Sequence, residues 1–406
     1  MRSQLLYAVY VPTFMLAFCM GMLALLLPLY AIDLGLSFNL IGLVVAGYGI
    51  GTLIGDLPAG AIQDRLGNRP SMIIGLCVMG LGMLALSRSE RFPMLLLCGI
   101  AIGAGGALWN VSRHAYLANN TRNDSRGRAV SFFGGVYRIG TFAGPIIGGY
   151  LSDELGMRTV FGLCGVITLL TLTLPLLFVD DSQAEQPGEQ GTSMALSYRR
   201  MLTYVRSNVW LLTPASFGTI CAQMIRAGRQ IIIPLYAATV LHLDVEQIGL
   251  VMGIAAAVDM SMFYPAGYVM DRFGRKFAYV PSFLLQAAGM ALVPFAGSYA
   301  ALLAATSLIG FGNGIGSGTM LTLGADIAPP QGEGMGAFLG LWRLLGDTGQ
   351  TGGPIVVGSI AQVLGLAPSI YVIAVFGLGA ASILGLFVPE TLKKPSAAGA
   401  EPAALG

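Results

Sequence analysis

What constrains this chain most is a series of apolar runs that no charge interrupts. No Asp, Glu, Lys or Arg lies between Arg2 and Asp33, and further uncharged stretches cover residues 34–55, 70–87, 92–112, 159–179 and 207–225. Lipid gives backbone N–H and C=O groups no partner, so a run of about 20 such residues reads as a membrane-crossing helix, which satisfies its own hydrogen bonds. Two longer uncharged stretches, 277–325 and 348–389, each hold two crossings, with breaks near Gly297-Ser298 and Leu366-Ala367-Pro368. Charged spans around Arg138 and Asp259 bring the expected number to twelve, the span around Arg343 running into the 348–389 stretch, at 6–30, 40–63, 71–88, 93–113, 130–152, 158–179, 209–238, 246–270, 277–297, 300–323, 336–363 and 367–388. The fold class is therefore an all-α membrane protein with a lipid bilayer as its solvent.

Charged residues make up 10% of the chain, against about 25% in soluble domains. A net charge of +2 cannot supply the basic face that nucleic acid requires, so that partner is excluded. Cys19, Cys77, Cys98, Cys164 and Cys221 lie in apolar stretches without metal-ligand spacing, and His114 and His242 stand alone. No metal, no cofactor and no catalytic set is expected, and the chain does not read as an enzyme. The run Gly310-Phe311-Gly312-Asn313-Gly314-Ile315-Gly316 lacks the Lys-Ser/Thr of a phosphate loop and reads as helix packing inside span 10.

Basic residues set the orientation. With the N-terminus inside, cytoplasmic segments collect Arg2, Arg65, Arg69, Arg122, Arg126, Arg128, Arg199, Arg200, Arg206, Arg272, Arg275, Lys276, Lys393 and Lys394, while outer loops hold only Arg88, Arg91 and Arg158. Both termini are expected in the cytoplasm.

The chain also repeats itself. Pro58-Ala59-Gly60, Asp64-Arg65 and Gly67 recur as Pro265-Ala266-Gly267, Asp271-Arg272 and Gly274, all at an offset of 207, and Ile41-Gly42-Leu43 recurs as Ile248-Gly249-Leu250. The expected organisation is an N-terminal six-helix half (1–179), a cytoplasmic linker (180–207), a C-terminal six-helix half (208–390) and a cytoplasmic tail (391–406). Parallel duplicated halves with a substrate site between them near the midplane are a transporter architecture.

The segment from Gly60 through Asp64, Arg65 and Gly67 to Arg69 resembles the loop signature of the major facilitator superfamily, and Gly267, Asp271, Arg272, Gly274, Arg275 and Lys276 form a fuller copy. Gly140, Gly144, Pro145, Gly148 and Gly149 on span 5 resemble the signature of its twelve-span drug:proton antiporters. On physical grounds the loop glycines permit a tight turn, and Asp64 can accept hydrogen bonds from a neighbouring helix N-terminus or pair with an Arg, latching one conformation. The span 5 glycines let helices approach closely.

An ionisable residue at mid-bilayer costs about 2.5–3.5 kcal/mol on insertion scales, so it faces a cavity or a partner. Eight lie within spans: Asp56, Arg113, Arg138, Arg226, Arg229, Asp259, Arg343 and Asp347. None lies in spans 3, 6, 9 or 12, which the resemblance makes outer supports. Asp56, Asp259 and Asp347 are the candidate proton-coupling residues, and Arg138, Arg226, Arg229 and Arg343 the candidate cavity residues. Arg226 and Arg229 share a helix face and need an anion or an acid, Asp259 being nearest in sequence; Arg343 and Asp347 have the spacing of an intrahelical pair. Phe263, not an acid, stands at the repeat position of Asp56. The usual acid of span 1 and Arg in the first half of span 4 are missing.

The resulting expectation is a monomer in a bacterial cytoplasmic membrane that exports a small amphipathic molecule by alternating access, driven by protons. An organic-anion or lipid-like substrate on the same fold is the alternative, and a non-transporting sensor or scaffold a distant third. In intact cells, cysteines placed at Asp64 and Asp271 should be shielded from an impermeant maleimide added outside; external labelling of either would reverse the orientation.

Overall fold

A computed structural model of the chain describes residues 5–121, 126–179, 194–330 and 334–392. Arg122, most of the predicted linker including Gln186-Pro187-Gly188, and the tail with Lys393 and Lys394 fall outside these residues, as do the side chains of Arg126 and Arg128. Among the described residues every regular element is helical. A π-helical turn, Leu6–Tyr10, leads into α1 (Val11–Asp33), followed by α2 (Phe38–Leu66), α3 (Asn68–Leu86), α4 (Phe92–Asn119), α5 (Arg126–Leu155), α6 (Met157–Thr171) and α7 (Thr173–Phe178). After α8 (Met194–Ser207) come α9 (Val209–Thr239), α10 (Val245–Ser261), α11 (Phe263–Arg272), α12 (Lys276–Leu292), α13 (Tyr299–Ile315), α14 (Thr319–Asp326), α15 (Met335–Leu364) and α16 (Leu366–Phe387).

Nine helical segments among the described residues are long and apolar enough to cross a membrane. Three further helices, α5, α9 and α15, have 30, 31 and 30 residues, about 45 Å of rise each. They are more polar because they carry Arg138, Arg226, Arg229, Arg343 and Asp347.

Several predicted spans are interrupted, and proline supplies the reason. Pro265 has no N–H to donate to the carbonyl of Ser261, and α10 ends at Ser261; Pro175 and Thr171 stand in the same relation at the α6–α7 break. Span 10 breaks after Ile315, where Gly318 takes φ +77° before α14 begins.

The helices before residue 180 pack mainly on one another, as do those after 208, and four pairs join the groups: α2 with α15, α5 with α10, and α1 with both α9 and α10. The peripheral helices α3, α6, α12 and α16 turn large apolar side chains outward, among them Leu81, Leu170, Phe277 and Val375, as a lipid-facing surface requires.

Contact between the groups is concentrated at the end opposite the two signature loops. There the backbones nearly touch: a Cβ added to Gly42 would lie 2.5 Å from the Pro354 carbonyl oxygen, one on Gly49 2.3 Å from Thr351 Oγ1, and one on Gly249 2.4 Å from the Pro145 carbonyl oxygen. Toward the signature loops, Gly60, Gly134, Gly135, Gly267, Gly336 and Gly340 meet open space instead. The molecule is closed at one end and parted at the other.

Two side-chain bonds tie the closed end. Asp153, near the end of α5, accepts from the Glu246 backbone N–H at the start of α10 at 3.1 Å, a helix cap supplied by the other group, since Asp244 at the N-cap position makes no side-chain cap bond. Ser359 on α15 hydrogen-bonds Asn39 on α2 at 3.2 Å, and Asn39 occupies the repeat position of Glu246. Removing the carboxylate with Asp153→Ala should cost the closed end about 1 kcal/mol, a roughly fivefold shift toward opening. A cysteine at Ile248, fully buried at this junction, should react correspondingly faster with a soluble maleimide; an unchanged rate would show that the cap does not hold the closure.

Candidate functional site

Where the groups begin to part, each of the two long crossings ends in an ion pair. Arg138 on α5 meets Asp259 on α10, Nη1 to Oδ1 at 3.4 Å. Asp259 Oδ2 also accepts from Asn313 Nδ2 at 2.8 Å, Arg138 donates to Ser317 Oγ, and its guanidinium lies 4.6 Å over the Phe263 ring. On the other crossing, Arg343 of α15 reaches Asp56 of α2 at 3.1 Å and, more loosely, Asp347 on its own helix at 3.7 Å. All five charged side chains remain partly accessible, from 16% for Asp259 to 44% for Arg343.

These pairings revise three sequence expectations. Asp259 forms its ion pair with Arg138 from the other group and not with Arg226 or Arg229. Asp56 does have a counterpart: Asp259 stands one helical turn before Phe263, and Phe263 covers the arginine that Asp259 binds. Arg343, expected to pair with Asp347, has its shorter contact with Asp56.

Arg226 and Arg229 lie one turn apart on α9. Arg226 donates to the Gly316 carbonyl at the α13 break at 3.0 Å and to Gln223 Oε1 at 3.3 Å, and lies 5.4 Å over the Phe283 ring. Its Nε is buried with no hydrogen-bond partner. No hydrogen bond or ion pair engages Arg229 among the described residues. Arg113 is 5% exposed and rests on Asn110 Oδ1 (2.8 Å) and the rings of Phe133 and Trp109, without a carboxylate. Asn313, Ser317 and Gln223 were not singled out from the sequence as polar partners; the Gly-rich run that contains Asn313 was the one available signal.

The signature copies differ. In the first, Asp64 and Arg65 are exposed and make no hydrogen bond or ion pair among the described residues, Gly67 (φ +85°) reverses the chain between α2 and α3, and Arg69 donates to the Leu176 carbonyl at 2.6 Å. In the second, Arg275 joins Asp271 (2.9 Å) to Asp326 (3.1 Å), Lys276 Nζ donates to the Gly385 carbonyl at 2.7 Å, and Arg272 rests on the Tyr268 hydroxyl. Glu390 accepts from the Arg275 and Lys276 backbone N–H groups at 2.8 and 3.0 Å, capping α12, and a Cβ on Gly274 (φ +120°) would lie 2.5 Å from it. This second copy is anchored within its own helix group. On α5, Gly140, Gly144 and Gly148 pack on α1, a Cβ on Gly144 falling 2.6 Å from the Phe18 carbonyl oxygen, while Pro145 and Gly149 face Gly249 of α10. The antiporter-like motif thus sits where α1, α5 and α10 meet.

Among the described residues no group of three or more His, Cys, Asp or Glu is arranged to hold a metal, and the cysteines are free. A membrane-embedded helical bundle with paired internal charges and one open end has the form of a carrier. The family model of the Major Facilitator Superfamily matches residues 9–338 and, in an overlapping second match, 215–405. The chain belongs to that superfamily. Like its members, it is a multi-pass membrane transporter and not an enzyme. It is 22% identical to the quinolone resistance protein NorA of Staphylococcus aureus over 390 residues, 94% of this chain and 96% of that protein. It is 21% identical to an uncharacterized MFS-type transporter of Methanocaldococcus jannaschii over 376 residues, covering 92% and 95% of the two chains. A solved bacterial homologue of the human lysosomal transporter Spinster, inward-facing and occupied, shares the fold with a TM-score of 0.79 at 14% identity, over 97% and 99% of the chains.

The Glu390 anchor carries a pH dependence. Burial pushes this carboxyl up, but backbone N–H donors from Leu392, Lys276, Arg275 and Thr391 together hold it below the usual glutamate range. A depressed folded value means that its contribution is present above the unfolded pKa and is lost as pH falls through the folded one. Glu390→Gln should therefore lower the thermal midpoint of the purified transporter near neutral pH, and the difference from wild type should close below about pH 4. Equal midpoints near neutral pH would remove the anchor from the stability of this end.

Proposed function

We propose that this superfamily member exports a small amphipathic molecule in exchange for protons, by rocking two six-helix halves, 1–179 and 208–390, within a bacterial cytoplasmic membrane, both termini inside. The repeat at 207, the packing of helices into two groups, and a second family-model match beginning at 215 support the halves. Twelve crossings follow if α5, α9 and α15 span the membrane beside the nine more apolar segments. NorA, by its name a quinolone resistance protein, supports export.

One observation carries the proton coupling. Asp56 and Asp347 share the single cation Arg343 where α2 and α15 part, and Asp347 Oδ2 is buried with no hydrogen bond. Two carboxylates in contact with one guanidinium repel each other, and a proton on Asp347 relieves that repulsion. Asp259, already held by Arg138 and Asn313, is the gate acid of the other crossing. When Asp347 loses its proton it competes with Asp56 for Arg343, and loosening the cross-half pair biases the crossing between its states.

In proteoliposomes, Asp347→Asn should abolish accumulation driven by a pH gradient while substrate exchange without a gradient survives. Asp259→Asn should slow both, because it breaks a gate. Undiminished gradient-driven accumulation in both Asp347→Asn and Asp56→Asn would overturn the assignment of the proton to this triad.

A further inference from the structure

The central polar residues are divided unevenly between the two crossings. Beside α2 and α15 the two acids Asp56 and Asp347 contact Arg343, and Arg113 on α4 is a second cation of that side. Beside α9 and α10 cations are in excess: Arg138, Arg226 and Arg229 stand near one acid, Asp259, whose oxygens are already bonded to Arg138 and Asn313. Guanidinium groups stay charged, so this side keeps a surplus of positive charge in a place where water is scarce.

The same region holds a concentration of unused hydrogen-bonding atoms. Arg226 Nε, Gln286 Oε1 and Asn313 Oδ1 are buried without partners, and Arg229 has none among the described residues. Gln286, fully buried, spends its amide nitrogen on Ser282 Oγ at 3.1 Å. Ser282 also lies against Gly316, whose carbonyl holds Arg226. Arg226, Gly316, Ser282 and Gln286 thus adjoin one another where α9, α12 and α13 meet, a buried polar niche with the Phe283 ring against the Arg226 guanidinium. Arg226, Asp259 and Asn313 each stand 13 or 14 residues from the closed-end terminus of their helices, about 20 Å of rise, which places the niche near mid-bilayer.

Buried polar groups are paired as a rule, so a donor and acceptors left without partners here call for a group that the protein does not supply. We propose that this niche binds the head group of the transported molecule, and that the head group is a carboxylate or similar anion carrying an adjacent hydrogen-bond donor, attached to an apolar body. Arg229 holds the anionic oxygens, Arg226 Nε adds a second donor, and Gln286 and Asn313 accept from the neighbouring hydroxyl or N–H. This rests on the transport reading above and names the substrate class for it.

Arg229 is the residue to change, because its side chain supports no bond in the fold, whereas Arg226 holds the α13 break. The test measures equilibrium binding of three probes with one shared aryl body, a carboxylate, an amide and an ammonium, to the full chain in nanodiscs. The carboxylate is expected to bind about tenfold or more tightly than either of the others. Arg229→Gln should remove that preference without altering the amide, and Arg229→Lys should restore part of it. A single-chain acyl carboxylate run in parallel separates a lipid-derived anion, which would bind in preference to the aryl acid, from a water-soluble one. Tighter binding of the ammonium probe in wild type, or carboxylate affinity indifferent to Arg229→Gln, would overturn the proposal. Transport of the same probes under a pH gradient keeps the two readings apart: proton-driven flux of the ammonium alone removes the anion site and leaves the exporter standing, whereas carboxylate binding without any proton-driven flux removes the coupling and leaves the site.

Discussion

Charge carried between helices, and met by an opposite charge across the junction of two helix groups, is the constraint on which the rest of this structure depends. Arg138 and Asp259 are 121 residues apart, and Arg343 and Asp56 are 287 apart. Each belongs to a different helix group from its partner. Separating them strips Arg138, Asp259 and Asp56 of their ion-pair partners in a membrane interior, Arg343 alone keeping Asp347, at a cost that insertion scales put at about 2.5–3.5 kcal/mol for an ionised group. Water entering from the parted end lowers that cost. The pairs are therefore tolerable where they stand, at the head of an open cleft, and would be unstable at the same depth in a sealed bundle.

The closed end uses a different physics. Gly42 against Pro354, Gly49 against Thr351 and Gly249 against Pro145 bring backbones together with almost no intervening side chain. Such contacts gain dispersion over a broad area but contain few directional bonds, and a rigid-body rotation can peel them apart without breaking a buried network. Asp153 and Ser359 add one hydrogen bond each at the rim, where water replaces them readily. A surface that holds through shape and releases through solvation suits a carrier that must open and close repeatedly.

Duplication leaves the two signature copies with different fates. The second is tied by Arg275, Lys276 and Glu390 to the ends of α14 and α16, all within one helix group. The first presents Asp64 and Arg65 to solvent. Two copies of one motif thus serve as a fixed anchor in one place and present free charges beside a parted crossing in the other. Their difference arises from one motif position and from neighbours: Arg275, which joins Asp271 to Asp326, stands where the first copy has Asn68, and Glu390 and Asp326 close the C-terminal loop, whereas no acid closes the N-terminal one among the described residues.

The sequence by itself determined that the chain is helical and membrane-embedded, because length, apolarity and the absence of charge are local properties that lipid reads directly. It also determined which residues are exceptional, since an Asp or Arg within an apolar run is visible without a fold, and the offset of 207 located both signature loops. The tertiary structure alone decided the partners. The offset pointed from Asp56 to Phe263, yet the acid that acts there is Asp259, four residues away across the α10–α11 break, and both side chains reach Arg138. Sequence proximity likewise pointed Asp259 toward Arg226, whereas helix packing turned it toward Arg138. Proline positions hinted at the breaks in α10–α11 and α6–α7, but whether a proline bends or ends a helix depends on what its neighbours can hydrogen-bond, as the uninterrupted α2, α5 and α15 around Pro58, Pro145 and Pro354 demonstrate. Local chemistry fixes which groups must find a partner; only the packing of helices distant in sequence fixes which partner they find.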